Sequence, residues 1–367
     1  MLNTWYGLKR MADRARRKAR RAVGKPDNTP CLVEPRRRSH TTYVDLLFGL
    51  DYLNPTGEMV QLLHKAMAPY GLRFLPVNRQ NVDGVLARVK AGRLRPLVYL
   101  DLCSERGDPF RALQQAAEAA GVHTISRTEQ MHKWVLKAPA QEPLERAGLP
   151  LPPTVIIRRG EPDRDLTPAE RAKVGERVVI KPSDGYAGRG VVADVTPTRE
   201  NIAQARNFNR EDDFLVQTMI AWKRFDDRPA YFRGYNMFGS RALAWWAKDK
   251  GKDTYDLMSW ADARRYDLLP AVTLVDRLAE TTGMEYFSTE IAVVADSGPP
   301  EERFCLIDYV NDQCDIDPFA HPEFSPPPLL CEWAYERLAE FVWRKKHGLP
   351  TAHAAGGYRP LFLHGGA

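Results

Sequence analysis

The stretch VVIKPSDGYAGRGVV (178–192) ends an apolar run in Lys181 and then places Gly185, Gly188 and Gly190 close behind it. Glycine lets a backbone approach a ligand closely, and successive loop N–H groups can surround phosphate oxygens. Lys181 would add a point charge to those phosphates from the floor of a strand. The order is not that of a Walker A loop, in which the lysine follows the glycines and precedes Ser or Thr. By itself the stretch also reads as a plain hairpin turn with a snorkelling lysine.

The rest of the chain changes that balance. PAYFRGYNMFGSRALAWWAK (229–248) reads as a hairpin turning at Gly239–Ser240, with Arg233 on its first strand. GMEYFSTEIAVV and RFCLIDYVNDQCDIDP then supply two apolar strands that carry Glu290, Asp308 and Asn311. Carboxylates and an amide on adjacent strands are hard oxygen donors of the kind magnesium takes beside nucleotide phosphates. His64, His132 and His321 show no metal-binding spacing.

These groups need elements to hold them. Apolar residues near 42–50 suggest a strand, and NPTGEMVQLLHKAMAPYG gives a cap at Asn54 or Thr56 and a helix over about 56–69. LRFLPV (72–77), RPLVYLDLC (95–103) and VHTIS (122–126) read as further strands. Pro109 opens a helix, FRALQQAAEAAG, that Gly121 stops. Alternation of strands and helices predicts an open α/β sheet, with Asp101 and the loop 102–108 at a strand's carboxyl end, where such sheets bind ligands. TEQMHKWVLKAPAQEPLERAG then predicts one helix, leading to the strand entry LPLPPTVII, a polar segment and the two strands of the glycine loop. FLVQTMI (214–220) reads as a buried strand. The strand of Trp245, Trp246 and Lys248 is a candidate contact for the acceptor substrate, but Trp245 and Trp246 alternate faces, so at least one packs in the core.

Bulk properties bound the class. A chain of 367 residues suits two or three domains, and 44% hydrophobic with 27% charged residues is usual for a soluble globular protein. No apolar run approaches the roughly 20 residues of a membrane helix. The five cysteines, with no CxxC pair, read as reduced thiols in a cytoplasmic protein without a zinc site. Residues 9–25 hold nine Lys/Arg against one Asp, so a net charge of +6 leaves about −2 for the remainder. This basic segment lacks the apolar core of a secretory signal. It reads as a solvated helix or arm, or as a contact for an anionic partner. Lys248, Lys250 and Lys252 read as a solvated loop or as contacts for an acidic substrate.

From about residue 95 to 315 the sequence resembles the ATP-grasp superfamily, which includes D-alanine–D-alanine ligase, glutathione synthetase and glutamate-adding ligases. LKAPAQEPLERAGLPLPPT resembles the segment whose lysine reaches the nucleotide, which makes Lys137 the match, with Lys133 the alternative. VVIKPSDGYAGRGVV resembles the second lysine strand and the loop that closes over phosphates, so Lys181, Ser183, Gly185, Gly188 and Gly190 are implied ATP contacts. FLVQTMI resembles the strand whose backbone pairs with adenine, implying Gln217, Met219 and Ile220 as its neighbours. Arg233 matches an arginine facing the terminal phosphate or acyl phosphate. GMEYFSTEIAVV places Glu290 as the first metal carboxylate. The superfamily usually ends its metal strand in Glu-x-Asn, whereas this chain has Asp308-Tyr309-Val310-Asn311. On a regular strand Asp308 and Asn311 point to opposite faces, so a bulge or strand end must intervene, or Asp312 or Asp315 supplies the oxygen.

The resemblance implies an α/β chain, α+β in its ATP-grasp part, with an N-terminal open sheet followed by two subdomains that clasp ATP. The expected boundaries are a basic segment 1–38, a pre-ATP-grasp domain 39–126, a central subdomain 127–213, a C-terminal subdomain 214–349 and a tail 350–367. It implies an ADP-forming carboxylate–amine ligase using ATP and magnesium, or manganese in its place, with Lys181 and Arg233 acting on the transferred phosphoryl group. The substrates are a small-molecule or peptide carboxylate and an amine, and a homo-oligomer is compatible. The alternatives are a kinase acting on a small-molecule hydroxyl and a nucleotide-binding protein without catalysis.

Overall fold

In this structure, a computed structural model that describes residues 41–49, 57–103, 109–185, 188–249, 252–294, 303–318, 325–351 and 361–362, apolar runs become the strands of three main sheets. The basic segment, the helix cap at 54–56, loop residues 104–108, His321 and most of the tail lie outside the described residues. The Lys248 and Lys252 side chains and all of Lys250 do too.

The first sheet is parallel. It contains β1 (Thr42–Gly49), β2 (Phe74–Val77), β3 (Leu94–Asp101) and β4 (His123–Ile125) in the order β2-β1-β3-β4. Helices α1 (Gly57–Met67), α2 (Val82–Lys90) and α3 (Phe110–Ala119) make the crossovers. Parallel strands covered on both faces are apolar throughout, and Leu46, Leu47 and Phe48 in β1 are wholly buried. Gly121 takes φ +75° after α3, the left-handed stop that its position predicts. Helix α2 was not anticipated, although Val82, Val85 and Val89 bury one face at helical spacing.

The expected single helix over 128–148 is divided. A turn at Thr128–Gln130 and a π-helical stretch, Met131–Val135, end at Leu136, which is extended with ψ 121°. Helix α4 (Lys137–Arg146) then starts afresh. Pro139 sits in its first turn, where a missing N–H costs nothing, so the sequence favours a new start there. The division leaves Lys137 at a helix N-terminus.

The second sheet is antiparallel, in the order β5-β8-β6-β7: β5 (Thr154–Ile157), β8 (Phe214–Thr218), β6 (Val178–Pro182) and β7 (Val192–Val195). Short helices α5 (Pro168–Val174) and α6 (Arg199–Arg206) accompany it, α5 starting from a capping box between Thr167 and Glu170.

The third sheet is antiparallel in the order β13-β12-β11-β14-β15, and a two-residue pair, β9 (Arg224–Phe225) with β10 (Arg228–Pro229), precedes it. It contains β11 (Tyr231–Met237), β12 (Ser240–Asp249), β13 (Lys252–Leu257), β14 (Tyr286–Val293) and β15 (Phe304–Asn311). Helices α7 (Trp260–Arg265) and α8 (Leu269–Thr282) lie between β13 and β14 in the chain. Met237 pairs with Ser240, so the hairpin turns at Phe238–Gly239, one residue earlier than expected. Both turn residues have positive φ, 54° and 89°, which suits the twist of a two-residue hairpin.

Trp245 packs with Phe232 in the core beside α8, while Trp246 faces the opposite side. That opposite side shares a core with the parallel sheet and helix α9 (Pro328–Lys346), through Tyr235, Leu257, Tyr286, Phe48 and Tyr335. Lys346 of α9 also pairs with Asp45 of β1 at 3.1 Å. The four described cysteines are buried free thiols. Among the described residues no helix is long and apolar enough to cross a membrane.

Candidate active site

Ile180 of β6 points into the core of the second sheet, and the next residue, Lys181, turns toward the third. Its ammonium donates to the Ile307 carbonyl at 2.8 Å and lies 5.5 Å from the centre of the Tyr309 ring. Burial pulls this lysine down to about 8, a fall that Asp308 opposes and Lys137 assists.

Lys137 arrives from α4. Its Nζ donates to the Gly185 carbonyl at 2.7 Å and lies 3.6 Å from Asp308 Oδ1. One sequence-selected cation therefore holds the glycine loop and faces an acid of the third sheet. Ser183 has a structural task here: its Oγ accepts from the Ala138 N–H at 3.0 Å, and its carbonyl accepts from the Lys137 N–H at 3.2 Å. It caps the helix that Lys137 begins. Gly188 and Gly190 have φ of 69° and 72°, and Tyr186 and Ala187 between the glycines lie outside the described residues. Lys133 is exposed on the π-helical turn and has no contact with this group.

The acids come from β14 and β15, whose pairing is irregular. Ser288 pairs with Asn311, Glu290 with Asp308 and Ile291 with Leu306. Two steps on β14 match three on β15, and the next single step matches two, so bulges lie on both sides of Asp308. The first bulge resolves the spacing problem. Asn311 lies across from Ser288, on the same face as Glu290 and Asp308. Lys181 binds the carbonyl of Ile307, the residue that the second bulge adds. Burial pushes the Asp308 carboxyl up, but Lys137, Lys181 and Arg233 more than offset this and hold it below the usual range.

Arg233 of β11 pairs with Glu290 across the ladder and donates from Nη2 to Glu290 Oε1 at 2.6 Å. Tyr231 donates to Oε2 of the same carboxylate at 2.6 Å, and the Trp246 indole N–H to Oε1 at 3.0 Å. The Arg233 Nε–H is buried and has no hydrogen-bond acceptor. A guanidinium with an unused buried donor is prepared for an anion.

Three hard-oxygen side chains on one face suit a magnesium ion that also takes phosphate oxygens. Among the described residues no group of three or more His, Cys, Asp or Glu is arranged to hold a metal, so any ion here depends on Asn311 and on its ligand. Asn311 Oδ1 accepts from the Gln313 N–H at 3.0 Å. Of the alternatives, Asp312 is buried at the end of β15, and Asp315 accepts from the Asp317 N–H at 3.1 Å. Burial pushes Asp315 up to about 6, against the hydrogen bond from the Asp317 N–H and the charge of Arg233.

Gln217 of β8 turns inward. Its Nε2 donates to Tyr309 Oη at 2.6 Å and to Thr154 Oγ1 at 2.9 Å, and the Tyr309 hydroxyl donates to Gln141 Oε1. All four residues are buried, so this network joins α4, β5, β8 and β15 beneath Lys181. Met219 and Ile220 follow the strand half-buried, and the Met219 N–H donates to the Arg177 carbonyl at 2.9 Å. Sequence reasoning missed Tyr231 and Tyr309 as site residues, and offered Trp246 only with its whole strand, as a contact for the acceptor substrate. The alternation of Trp245 with Trp246 is the signal that separates the two.

No protein-family model and no curated protein matches the chain. Solved structures match its fold. The RimK domain protein ATP-grasp from Sphaerobacter thermophilus DSM 20745 is 18% identical, with a TM-score of 0.54 over 82% of this chain and 99% of that one. D-alanine–D-alanine ligase from Bacillus anthracis, complexed with ATP, is 14% identical, with a TM-score of 0.55 over 83% of this chain and 97% of that one. The ATP-grasp ligase PsnB, complexed with a phosphomimetic variant of minimal precursor, Mg and ADP, is 13% identical, with a TM-score of 0.51 over 81% of this chain and 98% of that one. The chain has the ATP-grasp fold.

Proposed function

We propose that the chain is an ATP-dependent, ADP-forming carboxylate–amine ligase. The observation that carries this reading is the convergence of Lys137, Lys181 and Arg233 on Asp308 and Glu290, with Lys137 also gripping the glycine loop. Cations with acids between them suit a metal-bound polyphosphate, whose negative charge neither set could hold alone. The fold is shared with a ligase solved with ATP and another solved with Mg and ADP, which supports the reading.

In this proposal residues 39–126, 127–213 and 214–349 act as the three working units. Met219 and Ile220, just beyond β8, lie beside adenine, and Gln217 stiffens the strand beneath them. Gly185, Gly188 and Gly190 let the loop close on the phosphates, with Ser183 fixing its base. Lys137 and Lys181 neutralise the phosphate chain. Glu290, Asp308 and Asn311 would hold magnesium, or manganese in its place, which would draw charge from the terminal phosphates. Arg233 orients the transferred phosphoryl group. A substrate carboxylate oxygen attacks the terminal phosphorus, ADP leaves, and an acyl phosphate forms. An amine then attacks the acyl carbon, phosphate departs, and the amine loses a proton to give an amide. The carboxylate belongs to a small molecule or a peptide. An anionic partner for the basic segment is a separate proposal, and its binding should weaken steeply with salt.

Hydroxylamine supplies the test. With ATP, magnesium and the right carboxylic acid, ADP should form and hydroxylamine should divert the acyl phosphate to a hydroxamate. AMP and pyrophosphate as products, or a stable phosphorylated alcohol without free phosphate, would sink the ligase reading.

A further inference from the structure

Trp246 stands between the two charges on which the proposed chemistry turns. Its indole N–H donates to Glu290 Oε1 at 3.0 Å, and its ring lies under the Arg233 guanidinium, 4.6 Å from centroid to the central carbon. The same ring packs on the Tyr255 ring, at 4.9 Å between centroids, across the β12–β13 ladder. Trp245, its neighbour, is a core residue on the opposite face, so the strand alternation assigns Trp246 to the site.

The Arg233–Glu290 pair presents a conflict. Each residue has a role in the proposed reaction, Arg233 on phosphate and Glu290 on a cation. Yet here they neutralise one another at 2.6 Å. A pair this close parts only if each charge keeps another hold. Glu290 has two that do not depend on Arg233: the indole N–H and the Tyr231 hydroxyl. Arg233 has the aromatic face of Trp246, whose attraction for a guanidinium needs no carboxylate.

We propose that Trp246 is a positioning residue that holds Arg233 by its ring and Glu290 by its N–H, so that the pair separates on nucleotide binding without either charge leaving the site. This deepens the nucleotide reading above and rests on it. Trp246 touches no reacting atom. Its contribution is to fix where two charged groups stand as their partners change.

Two substitutions separate its two holds. Trp246→Phe keeps an aromatic face and removes the N–H, whereas Trp246→Leu removes both. Binding of a non-hydrolysable ATP analogue, which keeps the third phosphate that Arg233 orients, should rank them differently by calorimetry with and without magnesium. Trp246→Phe should stay within about twofold of the wild-type chain without metal, and should need several times more magnesium for tight binding of the analogue. Trp246→Leu should also lose metal-free affinity for the analogue, by about threefold to tenfold. A loss of packing alone would instead track the melting temperature of each variant, measured alongside. Equal nucleotide and magnesium behaviour in all three proteins overturns the role of Trp246 and leaves the nucleotide reading intact. A wild-type chain without affinity for the analogue overturns the nucleotide reading and the role together. The contact itself is read without nucleotide from the Trp246 indole N–H resonance, identified by its loss in Trp246→Phe. Glu290→Gln should shift it, and an unmoved resonance overturns the contact.

Discussion

Glu290 and Asp308 stand directly opposite one another on β14 and β15, and a bulge on each side of Asp308 fixes that position. Without the bulge that follows it, Asn311 would fall on the other face of the sheet. The irregular strand is itself tied down: Lys181 takes the Ile307 carbonyl, and Thr289 Oγ1 donates to the Asp308 carbonyl at 2.7 Å. Backbone carbonyls freed by the bulge therefore have donors, as buried carbonyls require.

Asp308→Asn tests this arrangement because it keeps an oxygen and removes a charge. The magnesium concentration for half-maximal turnover should rise by at least about tenfold. ATP binding without metal should hold or tighten, since the substitution removes a negative charge beside Lys137 and Lys181. Calorimetry and a magnesium titration of ADP release measure the two effects. An unchanged magnesium requirement would transfer the role to Asp312 or Asp315.

Lys181→Met should weaken ATP binding by about tenfold to a hundredfold, the scale of one charge-assisted hydrogen bond. Its effect on stability should be small, within about 1 kcal/mol, because the lost bond to Ile307 is offset by relief of a buried charge. Calorimetry gives the first number and denaturant unfolding the second. Unaltered ATP affinity rejects the assignment of Lys181 to phosphate.

The strand carrying Lys181, the glycine turn and the two acid-bearing strands were legible because each is a local pattern: an apolar run, a punctuation residue, an alternation. Asn311 was harder. Its distance from Asp308 required an irregularity, but only the pairing of β15 with β14 shows where the extra residues lie. The break before Lys137 was hidden because π-helical residues share the composition of an ordinary helix, although Pro139 marked the restart. Tyr309 and Gln217 are 92 residues apart in sequence, and no window of sequence can show that a phenol and an amide meet. Trp246 needed both the alternation and the neighbouring strands to become more than a core aromatic.

Tyr309→Phe removes one oxygen from the centre of that buried network. Gln217 Nε2 then loses one of its three acceptors, and Gln141 Oε1 keeps only the longer bond from that same Nε2, at 3.5 Å. The cost should be about 1–3 kcal/mol of folding stability, read from denaturant unfolding, the scale of two buried hydrogen bonds. An unchanged unfolding free energy would mean that water or a neighbouring group replaces the hydroxyl without loss.

The glycine loop gives the sharpest steric test. Gly190 has φ +72°, and a Cβ placed there would stand 2.5 Å from Phe208 Cδ1. Gly190→Ala therefore meets two separate obstacles, a left-handed backbone and the Phe208 ring. The backbone part costs about 1–2 kcal/mol for a residue with a side chain, enough to weaken ATP binding by about tenfold if the loop must keep this shape. The ring part is removable. Phe208 is 41% exposed, so Phe208→Ala costs little by itself and opens the space that the new methyl needs. The double variant should recover part of the lost affinity and retain the backbone part. Calorimetric ATP binding by the wild-type chain, both single variants and the double variant gives the cycle. Full recovery in the double variant would make the clash the whole effect, and wild-type affinity in Gly190→Ala would remove the loop from the phosphate site.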